Sequence, residues 1–283
     1  MAKGLAHEIL KDVKRCAEEL GHWPNRDQYE RWSDRKFPMR ELYDTFGNWT
    51  KFQLAAGKAK VIDTIDEGEG PAVYFIDIET APGEYYAFDP RVDYLRKDQQ
   101  INDFTILSWA AKKMGSEEVV FRSTKNEKHP RDDKKIMEEM WALLDSADIV
   151  IGQNSDRFDI PKIYARMMFQ RVNDRHPPSS FKRIDTKKIA KKYFGFTYNS
   201  LEHLCDYLDV KYKKLKHDKF PGMSLQVECL NGNAEAWAEM ERYNVRDILA
   251  LEECWKEMRA WDSSINANLY HGSKKSVCRV PGC

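Results

Sequence analysis

Residues 72–79 read AVYFIDIE, an apolar, β-rich run long enough for one buried strand and interrupted only by two carboxylates, Asp77 and Glu79. Side chains alternate across a strand with period two, so acids at i and i+2 share one face. Two acids side by side on a buried strand repel each other and are costly to desolvate. Either the strand ends there in solvent, or divalent cations sit between the acids. Working outward, FTILSWAA (104–111) and EEVVFR (117–122) read as two further strands. Residues 133–147 are helical, with Ile136, Met140, Leu143 and Leu144 on one face, and DIVIG (148–152) is another short buried strand. Helices follow at about 159–171, 184–194, 199–208 and 234–260. Strands that first run as a meander and then alternate with helices predict a mixed α/β sheet flanked by helices.

Two further clusters carry acids. In IGQNSDRFDIP (151–161) a short strand ends at Gly152 and a helix begins near Asp159, with Pro161 in its first turn. Asp159 is either an ordinary cap of that helix or a carboxylate aimed at the edge of the sheet where ligands bind. In YNVRD (243–247) the helix carries a stripe formed by Trp237, Met240, Asn244, Ile248, Leu251, Trp255 and Met258. Tyr243 and Asp247 are i and i+4 on the flank of that stripe, so the acid lies at the solvent boundary or points into a cleft.

Taken in order, F-x-D-x-E, N-x3-F-D and Y-x3-D resemble the three exonuclease motifs of the DEDD superfamily, nucleases with a ribonuclease H-like fold. The tyrosine four residues before the last aspartate is the mark of the DEDDy branch; the histidine branch would place its histidine at 242, which is Arg242 here. The stretch IDTKKIAKKYFGFTYNSLEHLCDYLDV is similar to the segment between the second and third motifs of exonucleases related to family B DNA polymerases. The resemblance implies a 3′–5′ exonuclease releasing nucleotides from the 3′ end of DNA, single-stranded or frayed duplex, in replication or repair. It implies two divalent cations, Mg²⁺ or Mn²⁺, held by Asp77, Glu79, Asp159 and Asp247. Asp77 would bridge the two ions, Glu79 and Asp247 would hold the one carrying the attacking water, and Asp159 would hold the second. Tyr243 would position the water, Asn154 and Phe158 would line the site, and Thr80 would lie near the terminal nucleotide. Hard cations prefer oxygen ligands, so four carboxylates suit this chemistry and cysteines do not.

Residues 7–57 contain EELGHWPNRDQYERW and LYDTFGNWTKFQLAAGK, which resemble the small helical repeat found beside homing endonucleases. That implies a DNA-binding appendage; a helical protein–protein module is the other reading. The predicted organisation is a small all-α module (1–60), an acidic, Gly-containing linker (61–71), an exonuclease domain (72–262) and a tail (263–283). In the tail, His271, Cys278 and Cys283 offer three zinc ligands where a site needs four, so it is either part of a Zn²⁺ element or a tail with free thiols. Lys187, Lys188, Lys191, Lys192 and KYKKLKHDK (211–219) are either solvated faces or a phosphate-tracking surface, with Tyr193, Phe194, Phe196 and Tyr198 as stacking planes.

Composition sets the outer limits. Forty-six basic residues balance forty-six acidic ones, so net charge neither advertises nor excludes nucleic-acid binding. Hydrophobic residues are 42% of the chain, enough for a core, and no run is long enough to span a bilayer. The start lacks the apolar stretch of a secretion signal, and six scattered cysteines form no disulfide framework. A cytoplasmic protein of a bacterial or phage-infected cell is expected, acting with replication or repair proteins and without a membrane. A DEDDy exoribonuclease, a catalytically silent nucleic-acid-binding subunit and a structure-specific endonuclease or recombination factor on the same fold are the rival functions.

Overall fold

The structure, a computed structural model, describes residues 2–46, 49, 52, 53, 56, 71–215 and 219–263. Its centre is a five-stranded mixed sheet in the order β5-β4-β1-β6-β7. The strands are β1 (Val73–Ala81), β4 (Thr105–Lys113), β5 (Val120–Ser123), β6 (Ile149–Gly152) and β7 (Lys182–Asp185). A short ribbon of β2 (Glu84–Tyr85) and β3 (Gln100–Asn102) interrupts the β1–β4 connection. β1 pairs antiparallel with β4, and β4 with β5, so the meander is as expected. β6 and β7 then add in parallel on the other side of β1.

Helices cover both faces. They are α1 (Ala2–Leu20), α2 (Arg26–Arg31), α3 (Met39–Phe46), α4 (Lys134–Ser146), α5 (Asp159–Gln170), α6 (Thr186–Tyr193), α7 (Leu201–Tyr207), α8 (Ser224–Leu230) and α9 (Ala234–Met258). The period-two alternation of β1 sorts the two layers. Val73 and Phe75 pack with Ile184, Leu204, Ile248, Leu251 and Trp255 beneath α6, α7 and α9. Tyr74, Ile76 and Ile78 pack with Ile136, Met140, Ile160 and Ile163 beneath α4 and α5. Asp77 and Glu79 continue the Val73–Phe75 face, so they turn toward α9.

The β1–β6 ladder ends at Phe75↔Ile151, whereas the β1–β4 ladder runs on to Ala81, with a bulge between Glu79 and Thr80. The last three positions with site chemistry therefore lie on a strand open along one edge. β6 stops at Gly152 because the chain turns tightly there: a Cβ would sit 2.5 Å from Ser155 Cβ and 3.4 Å from Ile76 O. The four-residue β7 runs to Asp185, where a helix is expected from 184, and the seven-residue α8 lies outside the helices that the periodicity predicts.

The N-terminal helices form a separate core from Ile9, Val13, Cys16, Tyr29, Leu42, Trp49 and Phe52. That core is bolted to the sheet domain by polar contacts. Asp145 at the end of α4 is 1% exposed and accepts from Gln53 Nε2 (2.6 Å), Trp49 Nε1 (3.3 Å) and the Ser179 amide and hydroxyl (2.8 Å each). Asn25, the cap of α2, donates to Pro177 O (2.9 Å), and Arg26 Nη1 donates to Asp148 Oδ1 (2.8 Å). Among the described residues no helix is long and apolar enough to cross a membrane.

Candidate metal centre

The acids meet where β1 outruns β6. One carboxylate oxygen from each of Asp77, Glu79 and Asp247 lies within 4.8 Å of the others. Asp77 and Glu79 come from one face of β1, and Asp247 from the helix packed over that face. Asp247 is 3% exposed, so of the two readings of its helix position the cleft is the one observed. Asp159 stands beside this trio. The cap position of α5 is Phe158, without a side-chain cap bond, and Asp159 is the first helical residue. Its Oδ1 accepts the Ile78 amide at 3.2 Å, a backbone donor left over where the β1–β6 ladder ends. Asp159 is thus tied to the sheet edge through the Ile78 amide.

Crowding is visible in the proton affinities. Burial, then the charges of Asp159, Asp247 and Glu79, push Asp77 well above the usual carboxylate range, against the pull of Lys214. Burial and the Asp247 charge raise Glu79 from 4.5 to about 7, opposed by Lys214 and by a hydrogen bond from Gln226 on α8. Asp159 rises from 3.8 to about 7, through burial and the charge of Asp185, with the Ile78 amide opposing. A divalent cation relieves this repulsion by holding the carboxylates ionised. An all-carboxylate oxygen set, with neither sulfur nor imidazole, fits Mg²⁺ or Mn²⁺ and not a soft metal.

Two groups that the sequence reading did not single out complete the site. Lys214 lies in the basic run 211–219, but it turns inward: its Nζ donates to Asp247 Oδ2 at 2.7 Å and sits 4.8 Å from the centre of the Tyr243 ring. Burial disfavours this ammonium, yet the Asp247 carboxylate and Tyr243 outweigh that and hold its pKa above the ordinary lysine value. Asn244, read from the sequence as part of the apolar stripe, donates from Nδ2 to Asp77 Oδ2 at 2.6 Å. Tyr243 is pushed up by burial and by the Asp247 charge, so its hydroxyl remains protonated and able to donate at neutral pH.

The expected substrate-side residues lie on the chain segments that carry Glu79 and Asp159. Thr80 follows the bulge of β1. Asn154 adopts a left-handed backbone (φ 61°), and its amide donates to Asp185 Oδ1 at 2.9 Å. Asp185 also accepts the Asp156 and Lys187 amides, so this cap of α6 pins the loop that delivers Asp159. Phe158 is 40% exposed, with Lys162 Nζ 5.0 Å from its ring centre and 3.7 Å from that of Phe104. Lys188 is engaged with Asp156 at 2.6 Å, while Lys187 and Lys191 line an open pocket with Tyr198 and His203. His271, Cys278 and Cys283 lie outside the described residues, as do residues 216–218 of the basic run.

Residues 6–58 match the family model of the homing endonuclease associated repeat. No curated protein matches the chain. Among solved structures, the family B DNA polymerase from the hyperthermophilic archaeon Pyrobaculum calidifontis is similar, with a TM-score of 0.47 and 18% identity. That alignment covers 65% of this chain and 24% of the polymerase, so the chain spans about a quarter of that protein's length. A likeness at this level transfers nothing about activity.

Proposed function

We propose that the protein is a metal-dependent 3′–5′ exonuclease of the DEDDy type, acting on single-stranded or frayed 3′ ends of DNA. The observation that carries this reading is the convergence of Asp77, Glu79 and Asp247 within 4.8 Å. Beside them stand Asp159, Tyr243 and Lys214, and the six residues come from four separate stretches of chain. The match to a homing-endonuclease-associated repeat favours DNA over RNA.

Asp77, Glu79 and Asp247 would hold one divalent cation, and Asp77 with Asp159 a second. Such ions polarise the phosphate and make a bound water nucleophilic near neutral pH. The protein's own groups do the rest. The protonated Tyr243 hydroxyl donates toward the attacking water or a non-bridging oxygen. The Lys214 ammonium supplies a fixed positive charge where negative charge builds on phosphorus. Phe158, half open beside Asp159, offers a flat face to the terminal base. The oxygen of water bonds to phosphorus, the P–O3′ bond breaks, and the water proton ends on the departing O3′. The products are a nucleoside 5′-monophosphate and a chain one nucleotide shorter with a new 3′ hydroxyl.

The test is digestion of a 5′-labelled single-stranded DNA oligonucleotide with Mg²⁺ or Mn²⁺, beside an EDTA control and Asp77→Ala. A metal-dependent ladder shortening from the 3′ end, absent in the variant, supports the reading. Degradation of RNA alone would convert it to an exoribonuclease, and cutting of a circular single strand to an endonuclease. Binding without cleavage would leave a nucleic-acid-binding subunit.

A further inference from the structure

α9 packs an apolar stripe against the sheet, and one member of that stripe is polar. Asn244 is 0% exposed, flanked along the helix by Met240, Ile248 and Leu251, all essentially buried. A buried amide costs about 1–3 kcal/mol unless its donors and acceptor are met. An alanine or leucine would satisfy the packing without that cost. The reason for an amide therefore has to lie in what it touches.

It touches two groups. Ser108 on β4, also 0% exposed, sits opposite Glu79 in the β1–β4 register, and its hydroxyl donates to Asn244 Oδ1 at 3.2 Å. On the other side Asn244 Nδ2 donates to Asp77 Oδ2 at 2.6 Å. A carboxylate kept ionised by a bound cation only accepts, so in that state the NH₂ faces Asp77, as its 2.6 Å contact has it, and the serine hydroxyl serves the remaining oxygen. Burial and the charges of Asp159, Asp247 and Glu79 all act against ionisation of Asp77, and the Lys214 charge alone among these neighbours favours it. Asn244 is the neutral donor on that carboxylate. It fixes the rotation of the group without adding a charge that would compete with a cation.

We infer that Asn244 is a positioning residue for the metal centre: held in orientation by Ser108, it anchors one oxygen of Asp77 and thereby presets that carboxylate for a divalent cation. This rests on the metal-centre reading above. An outer partner of a ligand carboxylate generally sets metal affinity by about 10–100-fold. Asn244→Leu keeps the volume and the stripe but removes the donor. Ser108→Ala leaves the amide in place but frees it to rotate.

The experiment is Mn²⁺ titration by calorimetry on the full chain without nucleic acid, followed by the Mn²⁺ concentration that half-activates cleavage. For Asn244→Leu the expected result is Mn²⁺ affinity at least about tenfold weaker, with activity recovering at saturating Mn²⁺. Ser108→Ala is expected to shift both values the same way by less, and it carries the test if the leucine variant does not fold. Wild-type affinity and half-activation in both variants, alongside lost Mn²⁺ binding in Asp77→Asn, would overturn the role of Asn244 while leaving the metal centre standing. Undiminished Mn²⁺ binding in Asp77→Asn as well would remove the metal centre itself. A lowered rate that no Mn²⁺ concentration restores, at unchanged affinity, would also overturn the positioning role.

Discussion

Replacing Glu79 by glutamine should make the metal-free protein more stable at alkaline pH, although the same change removes a proposed metal ligand. Glu79 holds its proton up to about pH 7 in the folded chain against 4.5 ordinarily, because burial and the Asp247 charge penalise the carboxylate. A raised carboxyl pKa means the folded state binds the proton more tightly than the unfolded one. The corresponding stability is fully present below pH 4.5 and is lost as pH rises through about 7. The gap corresponds to about 3 kcal/mol. Water reaching the half-buried side chain trims this, and about 2 kcal/mol is the working figure. Glutamine is nearly isosteric and carries no charge, so it should not suffer this loss. At about 2–4 °C per kcal/mol for a chain approaching this size, the difference is about 5 °C. The assay is thermal unfolding of both proteins in EDTA at pH 5 and pH 8. The wild-type midpoint should fall between the two pH values by about 5 °C more than that of Glu79→Gln. Parallel pH profiles would refute the claim that this carboxylate is electrostatically strained without a cation.

Three further outcomes follow from the contacts. Lys214→Met should cut turnover on DNA by about a hundredfold while leaving Mn²⁺ binding in place, since the ammonium faces Asp247 and Tyr243 and supplies charge rather than ligation; single-turnover rates beside calorimetry check this. Gln53→Leu should destabilise the protein by about 2 kcal/mol, because it removes the 2.6 Å donor to the buried Asp145 across the junction of the two cores; urea unfolding measures it. Gly152→Ala should cost about 1–3 kcal/mol, because its Cβ would overlap Ser155 Cβ at 2.5 Å and displace the loop that carries Asp159, with the same unfolding series and the Mn²⁺ titration as readouts.

The parts legible in the sequence are those with local periodicity. β1 announces itself as an apolar run with two acids in step, and α9 as a stripe from Trp237 to Met258 that is buried as expected. Both place acids on faces that the fold then brings together. What escaped the sequence depends on partners far away in the chain. Asn244 sits within the stripe, and only Ser108 and Asp77, 136 and 167 positions earlier, reveal why a polar residue belongs there. Lys214 is one lysine in a basic run, and composition does not say which of them turns inward. Asp145 looks like an ordinary acid near a helix end until residues 49 and 53, more than ninety positions earlier, close over it. The repeat is accordingly a docked part of the molecule. Truncating it would leave Asp145 uncovered and disturb the sheet domain, so deletion is a poor way to test whether it binds DNA.

The most direct measurement of the central claim is the 5′-labelled single-stranded DNA assay with Mn²⁺, run on the wild type, Asp77→Ala and an EDTA control. The expected result is a ladder shortening one nucleotide at a time from the 3′ end, abolished by EDTA and by the substitution. Cleavage of equal rate in Asp77→Ala, or products that grow from the 5′ end, would contradict it.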